Sequence, residues 1–221
     1  MKYGELPTEL GIFEVECKEM MFYQYLPIKM PNEIQPIYET RLKCFDKLIG
    51  AICCDFIGEF GLDNYVNSYI YLTAKYLYQM PNYSFNRMGW HSDGFLTDDI
   101  NYVWYDKYPT IFNKTDFDLP LDDLLSIEEM DKQAMPFNDV KYNDNQLLRL
   151  NQFNIHKVAP ITNGGMRAFL KVSISKDKYD LIGNSHNYLL DYDWQMKERK
   201  QERNIPQSVV DVDVQGTNNC L

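Results

Sequence analysis

The chain has 221 residues, a formal net charge of −10 and a hydrophobic fraction of 45%. This length is enough for one globular domain with a sizeable core, and the apolar content argues against general disorder. The acidic excess argues against a protein that wraps duplex nucleic acid through a broad basic surface. We therefore expect one domain over residues 1–221, with a core at 69–175, a strand and helix lead-in at 1–68 and a helical extension at 176–221.

The cysteines and the apolar runs bear on location. Five cysteines occur, and the neighbours Cys53 and Cys54 have no zinc-like spacing. No apolar run reaches 18 residues, and the N-terminus lacks a basic region followed by an apolar stretch. We expect reduced thiols, no membrane span and a cytoplasmic protein.

The first half of the chain predicts strands around an amphipathic helix. Residues 1–36 suggest an extended lead-in, and apolar residues then recur at steps of four and three, as in a helix that packs on a sheet. These residues are Tyr38, Leu42, Phe45, Ile49, Ile52 and Phe56. A second short helix is predicted at 62–69, and strands are predicted at 69–78 and 100–104.

The second half predicts an acidic loop with a short helix at 114–139, followed by two paired strands. Alternation over 146–158 predicts a strand that carries His156, and Asn163-Gly164 predicts a tight turn into a strand at 166–175. His156 and Arg167 would then lie on neighbouring antiparallel strands. Residues 192–203 predict a charged helix with a small basic cluster. These elements predict a mainly β chain with flanking helices, an α+β class.

Three residues of this pattern suggest a metal site. His91 and Asp93 are two residues apart and share one face of an extended segment, and His156 on another strand supplies a third corner. This set corresponds to the two-histidine, one-carboxylate facial triad that holds iron in non-haem oxygenases and leaves other positions open. A His-x-Asp run alone is weak, because a carboxylate that caps a turn at Gly94 explains it as well.

With Arg167 eleven positions after His156, the set resembles the iron(II)- and 2-oxoglutarate-dependent dioxygenase superfamily over roughly residues 69–175. The resemblance implies a double-stranded β-helix, also called a jelly roll or cupin-like fold. It implies that His91, Asp93 and His156 bind Fe(II), and that the chain uses 2-oxoglutarate and O2 to hydroxylate a substrate with release of succinate and CO2.

The resemblance also implies a clamp for the co-substrate. Arg167 would pair with the distal carboxylate of 2-oxoglutarate, a role suited to a planar guanidinium. The family commonly adds a hydroxyl two places on, where this chain has Phe169. Ser173, Tyr102 or Tyr78 could replace it, and the sequence does not choose among them.

Several alternatives stay open at the level of sequence. His186 competes as the distal ligand, although its turn-like surroundings favour a surface histidine, and a zinc or other metal cupin would use the same triad. A catalytically silent jelly-roll module with a structural role is the rival from another class. The substrate is equally open among small molecules, nucleotides and protein side chains, with a single flipped base as a further case.

Overall fold

The computed structural model describes residues 2–81 and 89–199. Within these residues the chain forms nine β-strands, three α-helices and two short 3-10 helices. The strands are β1 (Thr8–Ile12), β2 (Met21–Lys29), β3 (Tyr69–Gln79), β4 (Ile100–Tyr105), β5 (Ile111–Asn113), β6 (Asp139–Lys141), β7 (Gln146–Leu150), β8 (His156–Lys157) and β9 (Gly165–Ser175). The α-helices are α1 (Asp46–Phe60), α2 (Leu62–Val66) and α3 (Asp123–Gln133), and the 3-10 helices are Thr40–Phe45 and Pro136–Asn138.

The strands form two antiparallel sheets. The large sheet has six strands in the order β1-β7-β4-β9-β3-β2, and the small sheet has three in the order β6-β5-β8. The long strands β3 and β9 pair over their whole length, from Tyr69 opposite Ser175 to Gln79 opposite Gly165. This central pair is the scaffold on which the rest of the large sheet is built. The expected mainly β architecture is confirmed.

One face of the large sheet is covered by α1, α2 and the first 3-10 helix. On β9, Ala168, Leu170, Val172 and Ile174 point to this face and pack in the largest apolar cluster, which also contains the helix residues predicted from the sequence. Because successive side chains of a strand alternate in direction, Arg167, Phe169, Lys171 and Ser173 point to the opposite face. Arg167 and Ser173, two of the residues predicted to bind the co-substrate, therefore lie on the face away from the helices.

Apolar residues also join the large sheet to the small one. Val103 of β4 and Leu148 of β7 pack with Phe112 of β5 in a buried cluster. A third cluster contains Trp90, Ile155 and Met130 of α3. The small sheet is thus fixed to the large sheet by one cluster and carries α3 through another.

Most of the predicted elements are confirmed. The amphipathic helix corresponds to the 3-10 helix Thr40–Phe45 followed by α1, and the short helix that follows is α2. The strands predicted at 69–78, 100–104 and 166–175 are β3, β4 and β9, and the extended lead-in contains β1 and β2. The short helix in the acidic stretch is α3.

The single strand predicted over 146–158 is wrong. It is divided into β7 in the large sheet and β8 in the small sheet. Between them, Asn154 Oδ1 accepts a hydrogen bond from the Asn151 backbone N–H (2.7 Å), and Asn151 Oδ1 accepts one from the Phe153 N–H (2.9 Å). Asparagine side chains that bond nearby backbone favour turns over continued strand pairing, and here they move the chain from one sheet to the other.

The predicted hairpin between His156 and Arg167 is also wrong. Strand β8 pairs with β5, whereas β9 pairs with β3 and β4. Asn163, Gly164 and Gly165 are not among the residues with positive φ, so they do not form the primed turn that the Asn-Gly signal predicted. Gly164 instead lies close to the Tyr78 side chain, whose Oη would be 2.6 Å from a Cβ at this position.

The helix predicted over 192–203 is wrong for residues 192–199, and 200–203 lie outside the described residues. Residues 176–199 form an irregular segment that bonds to β2. Asn187 Nδ2 donates to the carbonyl oxygens of Pro27 and Ile37 (both 2.8 Å), and the Ser185 N–H donates to the Gln24 oxygen (2.7 Å). None of the helices in the described part of the chain has the length and apolar character needed to cross a membrane.

Tyr102 links the large sheet to α1. It lies on the helix-covered face of β4, where its hydroxyl donates to Asp55 Oδ2 at 2.8 Å. The same oxygen accepts a hydrogen bond from Arg149 of β7 at 2.9 Å. The suggestion that Tyr102 contacts a co-substrate is therefore corrected, because its side chain points away from the triad side of the sheet.

We expect Tyr102→Phe to reduce the free energy of unfolding by about 1 kcal/mol, the usual value of one partly buried hydrogen bond, without changing metal or 2-oxoglutarate affinity. Urea unfolding and calorimetric titration of both proteins measure the two effects. A loss of 2-oxoglutarate affinity in a variant with near-normal stability would return Tyr102 to the site.

Candidate functional site

The structure brings His91, Asp93 and His156 together. His91 and His156 form an isolated antiparallel bridge, in which each backbone N–H donates to the other residue's carbonyl at 2.9 Å. This bridge places the two imidazoles side by side, with ring centroids 4.5 Å apart. One ligand atom from each of the two histidines and from Asp93 lies within 4.8 Å of the others. The three residues predicted from the sequence thus converge on one point.

The segment that carries His91 is held at each residue. The Trp90 N–H donates to Asp131 Oδ1 of α3 at 2.9 Å, and Ser92 Oγ donates to the Gln152 carbonyl at 2.5 Å. Gly94 has φ of +73°, and a Cβ there would lie 2.8 Å from Thr97 Oγ1, so glycine is needed for the turn that follows Asp93. These contacts fix the segment without regular strand pairing.

Backbone carbonyls orient both imidazole rings. His91 Nδ1 lies 3.0 Å from the Gly89 oxygen, and His156 Nδ1 lies 2.9 Å from the Asn154 oxygen. A carbonyl oxygen only accepts hydrogen bonds, so each Nδ1 carries a proton, and the neutral form of each ring has its lone pair on Nε2. This arrangement of the outer ring nitrogen is typical of histidines that bind metals.

Asp93 is stabilised as a carboxylate. Its Oδ1 lies 2.7 Å from Lys171 Nζ of β9, and its Oδ2 lies 3.5 Å from His156 Nε2. Burial alone would raise the pKa of Asp93, but Lys171, His156 and His91 outweigh that effect and hold it well below its usual value. The group is therefore ionised at neutral pH and able to bind a cation.

The donor set suits a divalent first-row metal. Two imidazole nitrogens and one carboxylate oxygen are ligands that Fe(II), Mn(II) and Zn(II) accept, whereas Ca²⁺ and Mg²⁺ prefer oxygen ligands alone. Three protein ligands on one side leave room for further ligands from the cavity. The residues present therefore fit the iron centre that the sequence resemblance implies.

The triad opens into a cavity of about 550 Å³ between the two sheets and the segment 176–199. Its cationic lining from the large sheet consists of Lys75 of β3 and Lys171 of β9. Lys171 is opposite Thr73, and Lys75 is opposite Phe169, so Lys75 lies one pair further along the sheet. Pairs on the same face are roughly 7 Å apart along a strand.

Lys75 is a buried cation among other cations. It is 4% exposed, and its burial, Arg167 and Lys171 lower its pKa from 10.5 to about 7. An anionic ligand beside Lys75 would favour its charged form, because an opposite charge offsets the burial and the cationic neighbours that lower its pKa. The deep end of the cavity is thus electropositive.

Arg167 is buried on the same face of β9 but does not line the cavity. Its Nε donates to the Lys107 carbonyl at 2.9 Å, and its Nη2 donates to the Tyr108 carbonyl at 3.0 Å. Burial lowers the pKa of Arg167 to about 10, so it remains charged at neutral pH. The prediction that Arg167 contacts 2-oxoglutarate directly is therefore corrected, because backbone carbonyls already hold its guanidinium. Its positive charge still acts on the neighbouring Lys75.

The other predicted residues fall outside the triad. Ser173 is buried and donates to Asn101 Oδ1 at 2.6 Å, so it supports a cavity-lining residue without lining the cavity itself. Tyr78 is 54% exposed at the end of β3. The exposed His186 packs against Tyr188 and Tyr192 and is not part of the triad cluster.

Sequence reasoning missed Lys75 and did not assign a role to Lys171. Both signals were present, because each lysine lies in the middle of a predicted strand that is rich in apolar and aromatic residues. A lysine at a buried strand position is rare unless it has a specific partner. That observation identifies Lys75 and Lys171, the two lysines of the large sheet that line the cavity beside the triad.

No protein-family model matches the chain, and no curated protein matches it. Among solved structures, EvdO2 from Micromonospora carbonacea var. aurantiaca has 16% identity and a TM-score of 0.38, covering 61% of this chain and 64% of that chain. EvdO2 complexed with 2-oxoglutarate has 14% identity and a TM-score of 0.38, covering 70% and 76%. The chain thus spans just under two thirds of the first structure.

We expect His156→Ala to weaken Mn(II) binding by about two orders of magnitude or more, because it removes a direct ligand where loss of an outer partner already costs 10- to 100-fold. His186→Ala is the matched control and should bind as wild type does, since His186 is exposed and away from the triad. Anaerobic calorimetric titration measures both. Equal losses in the two variants would contradict the assignment.

We expect Lys75→Met to stabilise the fold at pH 7 by roughly 1–3 kcal/mol, because it replaces a buried cation with an apolar side chain of similar length. Between the folded pKa of about 7 and the ordinary value of 10.5, Lys75 is protonated in the unfolded chain and mostly neutral in the folded chain. The free energy of unfolding of the wild type should therefore increase as the pH rises through this range. The difference in urea midpoint between the proteins should shrink from pH 7 to 9. The exposed Lys141→Met is the control, and a constant difference would refute the burial effect.

Proposed function

We propose that this chain is an iron(II)- and 2-oxoglutarate-dependent oxygenase with a jelly-roll fold. The observation that carries the proposal is the convergence of His91, Asp93 and His156, with both imidazole Nδ1 atoms held by carbonyl oxygens. His91 and His156 would offer Nε2 to the metal, and Asp93 would offer a carboxylate oxygen. When bound, the iron supplies O2-dependent oxidation of a substrate C–H bond, coupled to decarboxylation of 2-oxoglutarate to succinate and CO2.

The charges around the triad support a dianionic co-substrate. Lys75, Lys171 and Arg167 outnumber the carboxylate of Asp93, and Asp106 contributes only a partial offset at Arg167. A bound divalent metal adds further positive charge at the same end. A molecule with two carboxylates satisfies both requirements, with one group at the metal and the other at a cation further along the sheet.

Lys75 is the residue we assign to the distal carboxylate. It lines the cavity, it is buried, and it lies one strand pair beyond Lys171. Arg167 would raise the positive potential there while its own hydrogen bonds remain on the 107–108 backbone. Lys171 would neutralise Asp93 before the metal binds and then contribute charge to the co-substrate end.

Anaerobic addition of Fe(II) and 2-oxoglutarate to the protein should give a weak visible charge-transfer band, and His91→Ala should abolish it. Exposure to O2 should then release succinate even without substrate. Absence of the band in wild type, with no change in thermal stability on adding metal, would refute the proposal. A band without succinate under any condition would favour a silent metal-binding module.

Lys75→Met should weaken 2-oxoglutarate binding roughly 10- to 100-fold, the effect of removing a hydrogen bond to a charged group. Arg167→Lys retains the positive charge and should change affinity by less than about threefold if Arg167 acts at a distance. Titration of the iron-loaded variants with 2-oxoglutarate measures both. A larger loss in Arg167→Lys than in Lys75→Met would place the direct contact on Arg167.

A further inference from the structure

The cavity has a second buried carboxylate, at the end opposite Lys75. Asp99 is 6% exposed and lines the cavity. Its Oδ2 accepts a hydrogen bond from the Tyr179 hydroxyl at 2.6 Å. Burial and the Asp99 carboxylate raise the pKa of Tyr179, so the tyrosine is the donor and Asp99 the acceptor. The hydrogen bond fixes the orientation of the carboxylate.

The other oxygen of Asp99 is open to the cavity. Within residues 2–81 and 89–199, Oδ1 accepts no hydrogen bond, and no lysine, arginine or histidine is within 4.0 Å of the carboxylate. In the same residues, the side-chain polar atoms sealed from water without a partner are Asn101 Nδ2 and Tyr105 Oη, so Oδ1 retains contact with solvent. A buried carboxylate in this state favours a cationic ligand.

Two cations, Lys178 and Arg199, also line the cavity, and among the described residues no ion pair within 4.0 Å joins either of them to Asp99. Lys178 Nζ lies 5.5 Å from the centroid of the Trp194 ring, and Arg199 Nε donates to the Ile182 carbonyl at 2.7 Å. Asp180 is paired with Lys197 at 2.7 Å. Asp123, in the first turn of α3, adds a further carboxylate to the cavity lining. The end of the cavity at Asp99 is called its acidic end, because this carboxylate forms no ion pair among the described residues, although the cations Lys178 and Arg199 also line the cavity.

The strand register sets the order of the groups along the cavity. Asn101 is opposite Ser173, and Val103 is opposite Lys171, so the chain before β4 lies on the side of Lys171 away from Lys75. Asp99 comes just before Asn101. Tyr179 stacks on Tyr71 of β3 with centroids 4.1 Å apart, which places it in the same region. Asp93 and Lys171 thus stand between a cationic end and an acidic end.

We propose that the acidic end binds the ammonium group of an amine-bearing substrate, with Asp99 as its anchor. Tyr25 packs edge-on against Tyr179 at 5.3 Å, and Lys171 Nζ lies 5.5 Å from the centroid of the Tyr25 ring, so the aromatic rings next to Tyr179 already attract a cation. Tyr179 acts as a positioning residue for Asp99. The net charge of −10 also favours approach of a cation. This inference rests on the proposed function for the reaction, but the ammonium site itself does not require the metal.

Three probes with one skeleton test the ammonium site on the full metal-free chain. These are 2-phenylethylamine, 2-phenylethanol and 3-phenylpropionate, which present a cation, a neutral hydroxyl and an anion. At pH 7 we expect the amine to bind about tenfold more tightly than the alcohol, as a charge-assisted hydrogen bond predicts, and we expect the acid to bind at the cationic end with an affinity that Asp99→Asn does not lower. Isothermal titration measures the three affinities. Equal affinity for amine and alcohol would overturn the inference in favour of a neutral substrate.

Asp99→Asn keeps the shape and the acceptor for Tyr179 but removes the charge, so it should reduce the preference for amine to about twofold or less. Asp123→Asn is the matched control and should retain most of the preference, because Asp123 is exposed. A full preference in Asp99→Asn would overturn the inference. If the preference holds but Fe(II) and 2-oxoglutarate do not bind, the proposed function fails alone; if they bind without the preference, only the substrate inference fails.

Discussion

Two reciprocal backbone hydrogen bonds between His91 and His156 are the contact on which the candidate site depends. Neither histidine is set in a long strand, since β8 has two residues and His91 pairs through one isolated bridge. The bridge nevertheless determines the distance between the rings, and it places Asp93 within reach of His156. The contacts of Trp90 and Ser92 support the bridge from either side. The large sheet contributes the cations, but the small sheet and its bridge create the triad.

The electrostatics of the cavity follow from the alternation of the central strands. Residues that face α1 are apolar, whereas Lys75 and Lys171 face the triad on the other side of the same strands. Burial of several charges in one cavity reduces stability, and folded proteins tolerate that cost mainly where a ligand will use the charges. The cationic end, the triad and the acidic end follow one another along the cavity, and we propose that they bind a dicarboxylate, a metal and a cation.

The sequence predicted the elements well where periodicity is strong. The helix stripe, β3, β4 and β9 all carry enough residues for the period to be unambiguous, and the three triad residues were identified from spacing and order. Prediction was wrong where short-range side-chain bonds or long-range packing decide the path. Asn151 and Asn154 end β7 early, and Gly164 lies close to Tyr78 instead of forming the predicted hairpin turn. Local signals do not specify which sheet a strand joins.

Long-range packing also explains why the sequence did not identify the residues at the cationic end correctly. Arg167 has the chemistry of a carboxylate clamp, but the backbone carbonyls of Lys107 and Tyr108 that occupy it come from a distant loop. Tyr102 has a hydroxyl that could bind a carboxylate, but its side chain points to the helix-covered face of the sheet. Side chains alternate between the two faces of a strand, so a shift of one residue is enough to move a side chain away from the cavity. Asp99 is a candidate cation site only in the folded structure, because its hydrogen-bond partner Tyr179 is 80 residues later in the chain.

The central claim is that this triad binds a divalent metal beside a dicarboxylate. A crystal structure of the Mn(II)-loaded protein with 2-oxoglutarate, with the metal located by anomalous scattering, tests it most directly. The account predicts one ion bound by Nε2 of His91, Nε2 of His156 and the carboxylate of Asp93, with Lys75 on the distal carboxylate. An ion bound elsewhere, or binding through either Nδ1, would contradict it.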